Sequence, residues 1–289
     1  MIIHKLIYLS GFITRYINFK YFYNFNEIIT LFVSKKKTIK IKLNSDTYFS
    51  FYLKDPYYNR LIYPKFEYEP EIEFLLKKLR DIDFLFVDAG ANYGYWSLLV
   101  SSKKFNKKKA IALEPLKSNY NFLCINRLNN KNRFKALNLG VGEKKKYTKI
   151  YYKDQNSNVG ASIYKDNNKK LISEKIKIDK IDNILLNRKE KNLIIKLDVE
   201  GSEIKALTGS KNILKKNCLI IYEDHGQDKH HSNTKYLLKK NYSIYFCNKS
   251  KILNIQNFIE LNKIKKQKNV GYNFVATKSD IFKKKLITN

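Results

Sequence analysis

The run Phe84-Leu85-Phe86-Val87-Asp88-Ala89-Gly90-Ala91-Asn92-Tyr93-Gly94 constrains the fold of this chain more than any other stretch. Four apolar residues in a row suit a strand buried on both faces, and the small residues after Asp88 turn the chain tightly into a helical stretch at 95–102. A strand, a glycine turn and a helix in that order belong to α/β folds, whose ligands sit beyond the carboxyl ends of parallel strands. Further apolar runs predict strands at 110–114, 134–139, 193–198, 219–223, 243–247 and 272–276. Helical patterns at 118–128 and 204–214 fall among them. The expected architecture is a Rossmann-like α/β domain, a mostly parallel seven-stranded sheet flanked by helices.

Residues 1–68 read as an extension preceding a main domain at 69–289. Ile39, Ile41 and Leu43, then Asn44-Ser45-Asp46, then Tyr48, Phe49, Phe51 and Leu53 predict a β-hairpin, and 69–80 predicts a helix. The first 23 residues are apolar, but Lys5, Arg15 and Lys20 interrupt them short of the roughly 20 apolar residues a spanning helix needs. Ile2, Leu6, Leu9, Ile13 and Ile17 recur at helical spacing, so an amphipathic helix is expected to pack on the domain, with a membrane surface as the alternative. No small-residue cleavage site follows, which argues against a signal peptide.

The chain has 57 Lys+Arg against 26 Asp+Glu, a formal net charge of +31. That field suits an anionic partner, yet the same Lys, Asn, Ile and Tyr excess is what A/T-rich codons encode, so charge alone identifies none. Three cysteines without ligand spacing suit a reducing compartment, and the cytoplasm is the expected location. A hydrophobic content of 44% excludes a disordered chain.

Gly90 and Gly94 allow close backbone approach, and Asn92 tolerates positive φ. Tyr95 stands where a dinucleotide fingerprint needs its last glycine, so the loop suits a ligand with an amino-acid end rather than a pyrophosphate. Asp88 can pair with that ligand's ammonium group. Glu114, roughly 20 residues past Gly94, can accept hydrogen bonds from ribose hydroxyls. S-adenosylmethionine has this chemistry, and Asp88, Gly90, Asn92, Gly94 and Glu114 are the candidate cofactor residues. The blander reading makes Asp88 a helix cap and Glu114 a surface carboxylate; their order and separation favour the cofactor. The fourth strand ends in Asp198-Val199-Glu200-Gly201-Ser202-Glu203, where Glu203 is equally well placed to favour a helix N-terminus.

The glycine loop, Leu113-Glu114-Pro115 and the block from Lys196 to Glu203 resemble the FkbM family of S-adenosylmethionine-dependent methyltransferases. Asn158-Val159-Gly160-Ala161-Ser162, Tyr222-Glu223-Asp224-His225 and Tyr272-Asn273-Phe274-Val275-Ala276 extend the resemblance, which covers about 69–277. It implies a class I methyltransferase fold and a hydroxyl acceptor, often on a sugar of a polysaccharide, glycolipid or secondary metabolite. Gly140-Val141-Gly142 departs from the Ala and Ser or Asp of similar proteins on the adenine side. Asp198, Glu223 and His225, all at strand ends, are the candidates for the base or the acceptor-positioning group. His225, His230, His231, Asp224 and Asp228 match no zinc pattern, and no metal is expected. Asp55-Pro56-Tyr57-Tyr58 reads as a turn. The rival readings are an RNA or DNA methyltransferase, suggested by the charge and 22 Tyr, and a non-catalytic cofactor- or membrane-binding protein.

Overall fold

A computed structural model describes residues 2–17, 19–34, 36–55, 57–152, 161–164, 171–224, 228–267 and 272–287. It begins with α1 (Ile2–Thr14), α2 (Phe22–Ile29) and an antiparallel hairpin of β1 (Thr38–Asn44) and β2 (Thr47–Tyr52). The first half of the main sheet follows as α3 (Pro70–Leu79), β3 (Leu85–Ala89), α4 (Tyr95–Val100), β4 (Lys109–Leu113), α5 (Lys117–Asn129) and β5 (Lys135–Leu137). An inserted sheet comes next, from β6 (Gly140–Val141), β7 (Lys146–Tyr152) and β8 (Ile172–Asp179). The second half comprises α6 (Ile181–Ile184), β9 (Asn192–Leu197), α7 (Glu203–Thr208), β10 (Asn217–Glu223), α8 (Ser232–Lys239), β11 (Ser243–Cys247), β12 (Ile252–Asn254), α9 (Phe258–Lys265), β13 (Asn273–Thr277) and α10 (Asp280–Ile287).

The main sheet runs β12-β11-β13-β10-β9-β3-β4-β5. β5, β4, β3, β9 and β10 are mutually parallel, and β13 inserts antiparallel between β10 and β11. Without β12 this is the class I methyltransferase strand order. The strand order reverses between β3 and β9, and this switch point opens the crevice at the carboxyl ends of the two central strands. The predicted strands all form. β12, an edge strand hairpinned onto β11, makes the sheet eight-stranded rather than seven-stranded.

Both faces are covered, which is why the central strands read as unbroken apolar runs. Side chains alternate across the sheet: Phe86, Ile194 and Ile221 join one core with α3, α4 and α10. Leu85, Val87, Ile195 and Tyr222 join the other, with α7, α8 and α9. The β1–β2 hairpin lies on the first core through Phe49 and Phe51, both fully buried. The open edge of β2 is met by side-chain amides of α5. Asn126 Nδ2 donates to Ser50 O at 2.9 Å and to Tyr93 O at 2.8 Å, and Ser50 N donates to Asn126 Oδ1 at 2.7 Å. Asn130 makes the same pair with Tyr48.

Two local expectations need correction. The helix expected over 204–214 stops at Thr208, where Gly209 leaves helical geometry with ψ 5° and its bare α-carbon lets Gly142 O approach to where a Cβ would stand 2.0 Å away; a separate 3-10 turn follows at Ile213–Lys215. Helix α9 is capped at its start by the Asn257 side chain and buried through Leu261 and Ile264. The three-stranded insert lies between β5 and β9, with 153–160 and 165–170 outside the described residues. Helix α1 does pack on the domain, but by Ile7, Ser10, Gly11 and Thr14; Ile2, Leu6, Leu9, Ile13 and Ile17 are exposed.

Candidate active site

A cavity of about 680 Å³ opens over the carboxyl ends of β3, β4, β9 and β10. Asp88, Gly90, Asn92, Glu114, Asp198 and Glu223 all line it. Gly94 does not; its φ of +88° starts α4, and a Cβ there would meet Leu123 Cδ1 at 2.4 Å. His225 and the block 158–160 lie outside the described residues.

The glycine loop is shaped by close approach. Gly90 has φ +81°, and a Cβ on it would lie 1.8 Å from the Asp198 carbonyl oxygen, so β3 and β9 can meet here only through a bare α-carbon. Asn92 adopts φ +50°, the left-handed region that asparagine tolerates. Asn92 N donates to Glu114 Oε2 at 2.8 Å, and Leu116 N donates to Glu114 Oε1 at 3.0 Å. Glu114 thus ties the loop to the end of β4 while lining the cavity. Its burial pushes the carboxyl up to about 7, against the pull of those two N–H groups. Asp88 serves a structural task as well: Ser97 N and Ser97 Oγ donate to Oδ2 at 3.1 and 2.7 Å, which anchors α4. Burial raises its carboxyl above the ordinary range, with the Lys196 charge opposing.

Lys196 organises the floor. It sits in the apolar run of β9, only 4% exposed, and its Nζ contacts Asp198 Oδ2 at 2.8 Å. Burial alone would lower its ammonium, but Asp198, Glu69 and Asp88 hold it above its ordinary value. Glu69 accepts from Trp96 Nε1 on Oε2 and from Asn273 Nδ2 on Oε1 at 3.3 Å. Glu223, half-buried at the end of β10, is pushed up to about 8 by burial and then by the charge of Asp198. Glu203 does not line the cavity; its Oε1 accepts from Val199 N and Gly201 N and holds the turn after β9.

The remaining walls were not read from the sequence. Tyr57, Tyr58, Tyr68, Tyr95, Trp96 and Tyr272 form an aromatic side. Asp55 does make a turn, since its Oδ1 accepts from Tyr57 N at 2.9 Å and Tyr58 N at 2.8 Å, but that turn delivers both tyrosines to the cavity. Ile150, Ile176 and Ile178 of the inserted sheet, with Ile163 next to the Ser162 bridge onto β7, add an apolar side beside Gly140 and Val141. Lys196 carried a legible signal, because a lysine inside a buried strand needs charged partners. The two long-range walls carried none.

Asp224 and His231 do other work: Asp224 pairs with Lys265, Thr234 donates to it, and His231 Nε2 lies 3.0 Å from Asn262 Oδ1. This network fastens the end of β10 to α8 and α9. Among the described residues no group of His, Cys, Asp and Glu is arranged to hold a metal ion.

S-adenosylmethionine fits this lining. Its sulfonium and ammonium are cationic, and the walls carry Glu69, Asp88, Glu114, Asp198, Glu200 and Glu223 against Lys196 alone among the described residues. Asn92 Oδ1 and Ser202 Oγ line the cavity and are buried without a partner among the described residues, which leaves polar atoms for a ligand.

Comparison with known proteins bears on the same residues. A crystal structure of methyltransferase FkbM from Methylobacillus flagellatus is 17% identical, with a TM-score of 0.45, over 68% of this chain and 43% of that one. The chain therefore spans less than half of that relative's length. The precorrin-6y C5,15-methyltransferase of Geobacter metallireducens is 14% identical over 72% of this chain and 87% of that one, with a TM-score of 0.41. The N-terminal domain of human METTL16, solved in complex with SAH, is 14% identical over 78% and 70%, with a TM-score of 0.36. No sequence among curated proteins matches. The family model of the methyltransferase FkbM domain matches residues 88–244, more than half of the chain, from the Asp88 turn through β10 and into β11. The chain belongs to the FkbM family of S-adenosylmethionine-dependent methyltransferases.

Proposed function

We propose that this methyltransferase acts on a hydroxyl of a sugar, in a polysaccharide, glycolipid or secondary metabolite, with Glu223 as the base. The observation that carries the reading is the pairing of an aromatic wall with carboxylates across one cavity. Tyr57, 45% exposed, and Tyr68, backed by the buried Tyr58, offer ring faces to the C–H side of a pyranose, and carboxylates accept from its hydroxyls. Asp88, Asn92, Glu114 and Ser202 would hold the cofactor. When bound, S-adenosylmethionine supplies a methyl group on a positively charged sulfur.

The chain's own part is to align the acceptor and take its proton. Glu223, pushed up to about 8, is a stronger base than an ordinary carboxylate and lies on the rim shared with Asp198. Lys196 clamps Asp198 and keeps its charge from swinging toward the acceptor. Lys196, held by Asp198, is the one cation among the described lining residues, so the cavity gives a phosphate little to pair with, which weighs against a nucleic acid strand entering it despite the +31 charge.

The test is turnover with saccharide acceptors, read as S-adenosylhomocysteine release, beside mass spectrometry of cellular glycans with and without the gene. Glu223→Gln should lower kcat by roughly 100-fold or more with cofactor binding intact. The wild-type rate should climb as pH rises through about 8, because the base works deprotonated. Full turnover by Glu223→Gln would remove the base assignment. An unchanged glycan profile, with methyl transfer to RNA or DNA instead, would remove the sugar.

A further inference from the structure

The N-terminal helical hairpin is packed inside out. Helix α1 turns Ser10, Gly11 and Thr14 inward, and the α2 side contributes Asn26 and Thr30, all of them buried. Ser10 Oγ lies 2.9 Å from Asn26 Oδ1, Thr14 Oγ1 donates to Ser10 O at 2.7 Å, and Thr30 Oγ1 donates to Asn26 O at 2.6 Å. A Cβ on Gly11 would stand 2.7 Å from Tyr63 Cβ, so this contact depends on a small residue. Small and hydroxyl-bearing residues at a helix contact are the habit of helices in lipid, where burying leucine against leucine gains nothing over lipid.

Ile7 and Phe22 are buried with them, but most of the large apolar side chains point the other way. Leu9 and Ile13 on α1 are 51% and 56% exposed, Ile28 on α2 is 65% exposed, and Leu31 and Phe32 just beyond it are 63% and 102% exposed. A water-facing surface of this kind marks a docking site. Among residues 1–34 the basic side chains are Lys5, Arg15 and Lys20, against the single acid Glu27. Arg15 lies over the rings of Phe12 and Tyr16, 4.2 and 4.5 Å from their centroids, and Lys20 over Tyr21 at 5.0 Å. Tyrosines paired with cations at the margin of an apolar face suit the headgroup layer of a membrane. Among the described residues no helix is long and apolar enough to cross one.

We infer that α1 and α2 dock this protein in the plane of an anionic bilayer surface. Lipid is favoured over a second copy by charge, since a formal +31 on each chain repels another copy and attracts acidic headgroups. The inference stands apart from the methyl-transfer reading, because none of its residues lines the cavity.

Flotation of the full chain with vesicles tests it, since flotation separates bound protein from aggregates that sink. Vesicles of phosphatidylcholine with phosphatidylglycerol should carry the protein upward, roughly tenfold or more better than phosphatidylcholine alone. The double variant Leu9→Glu, Ile13→Glu alters only exposed side chains; it should keep its melting temperature and lose flotation. Equal flotation of variant and wild type would overturn the inference, as would no flotation with either vesicle. A stable wild-type dimer by light scattering that the double variant dissociates would assign the face to a second copy instead.

Discussion

Gly90 and Gly94 look alike in the sequence and differ in what surrounds them. A Cβ on Gly90 would stand 1.8 Å from a backbone carbonyl oxygen, whereas one on Gly94 would meet the movable end of Leu123 at 2.4 Å. Gly90→Ala should therefore destabilise by about 2–5 kcal/mol and abolish S-adenosylmethionine binding in calorimetry. Gly94→Ala should cost about 1–2 kcal/mol in urea unfolding, which strain at positive φ alone produces. Equal losses would show that the Asp198 carbonyl yields as easily as a leucine methyl. Glu114 gives a pH test. Its carboxyl is raised from 4.5 to about 7 in the fold, so the folded state binds more protons than the unfolded state between those values. Stability from this group is full below about 4.5 and falls as pH rises through about 7. Relative to Glu114→Gln, the cofactor-free wild type should lose up to roughly 3 kcal/mol between pH 4.5 and 8. A difference that does not move with pH would mean that Glu114 stays charged throughout.

At the scale of elements, the β1–β2 hairpin belongs to the core rather than hanging from it. Three buried hydrogen bonds run through the Asn126 side chain to Ser50 and Tyr93, so Asn126→Ala should lower stability by about 2–4 kcal/mol. Hydrogen exchange at the Ser50 amide should quicken in that variant more than exchange in β3; uniform quickening would argue against local attachment. The elements themselves were legible wherever a period was strong. The strand runs at 84–88 and 193–198 are apolar because both faces of the sheet are covered, and the hairpin at 39–53 alternates because one face is. The inserted sheet of β7 and β8 was not legible, since its strands pair outside the main sheet and the scattered Lys146, Lys149, Lys175 and Lys177 resemble a solvated loop. The end of α7 was hidden for a related reason: Gly209, which caps it, packs against Gly142, 67 positions away by their numbering.

Across the whole molecule, charge is sorted by depth. The formal charge is +31, yet the cavity walls hold six carboxylates with Lys196 the one base among the described lining residues. An acidic interior attracts a cationic cofactor, and ligand bound only to the fold stabilises it by mass action. At a hundredfold excess over its Kd, S-adenosylmethionine should add about 2.7 kcal/mol, a rise of roughly 4–5 °C in Tm. No shift at saturating ligand would remove the proposed cofactor residues.

The strand–turn–helix at Asp88, the carboxylates at the ends of β4, β9 and β10, and the family were all readable from local spacing and runs of apolar residues. That Tyr57, Tyr58 and the inserted sheet wall the cavity, and that α1 buries its hydroxyls while exposing its leucines, followed from long-range packing alone. Periodicity shows that a helix has two faces; which of them turns inward depends on the surface it meets, here Tyr63 and the Gly11 gap.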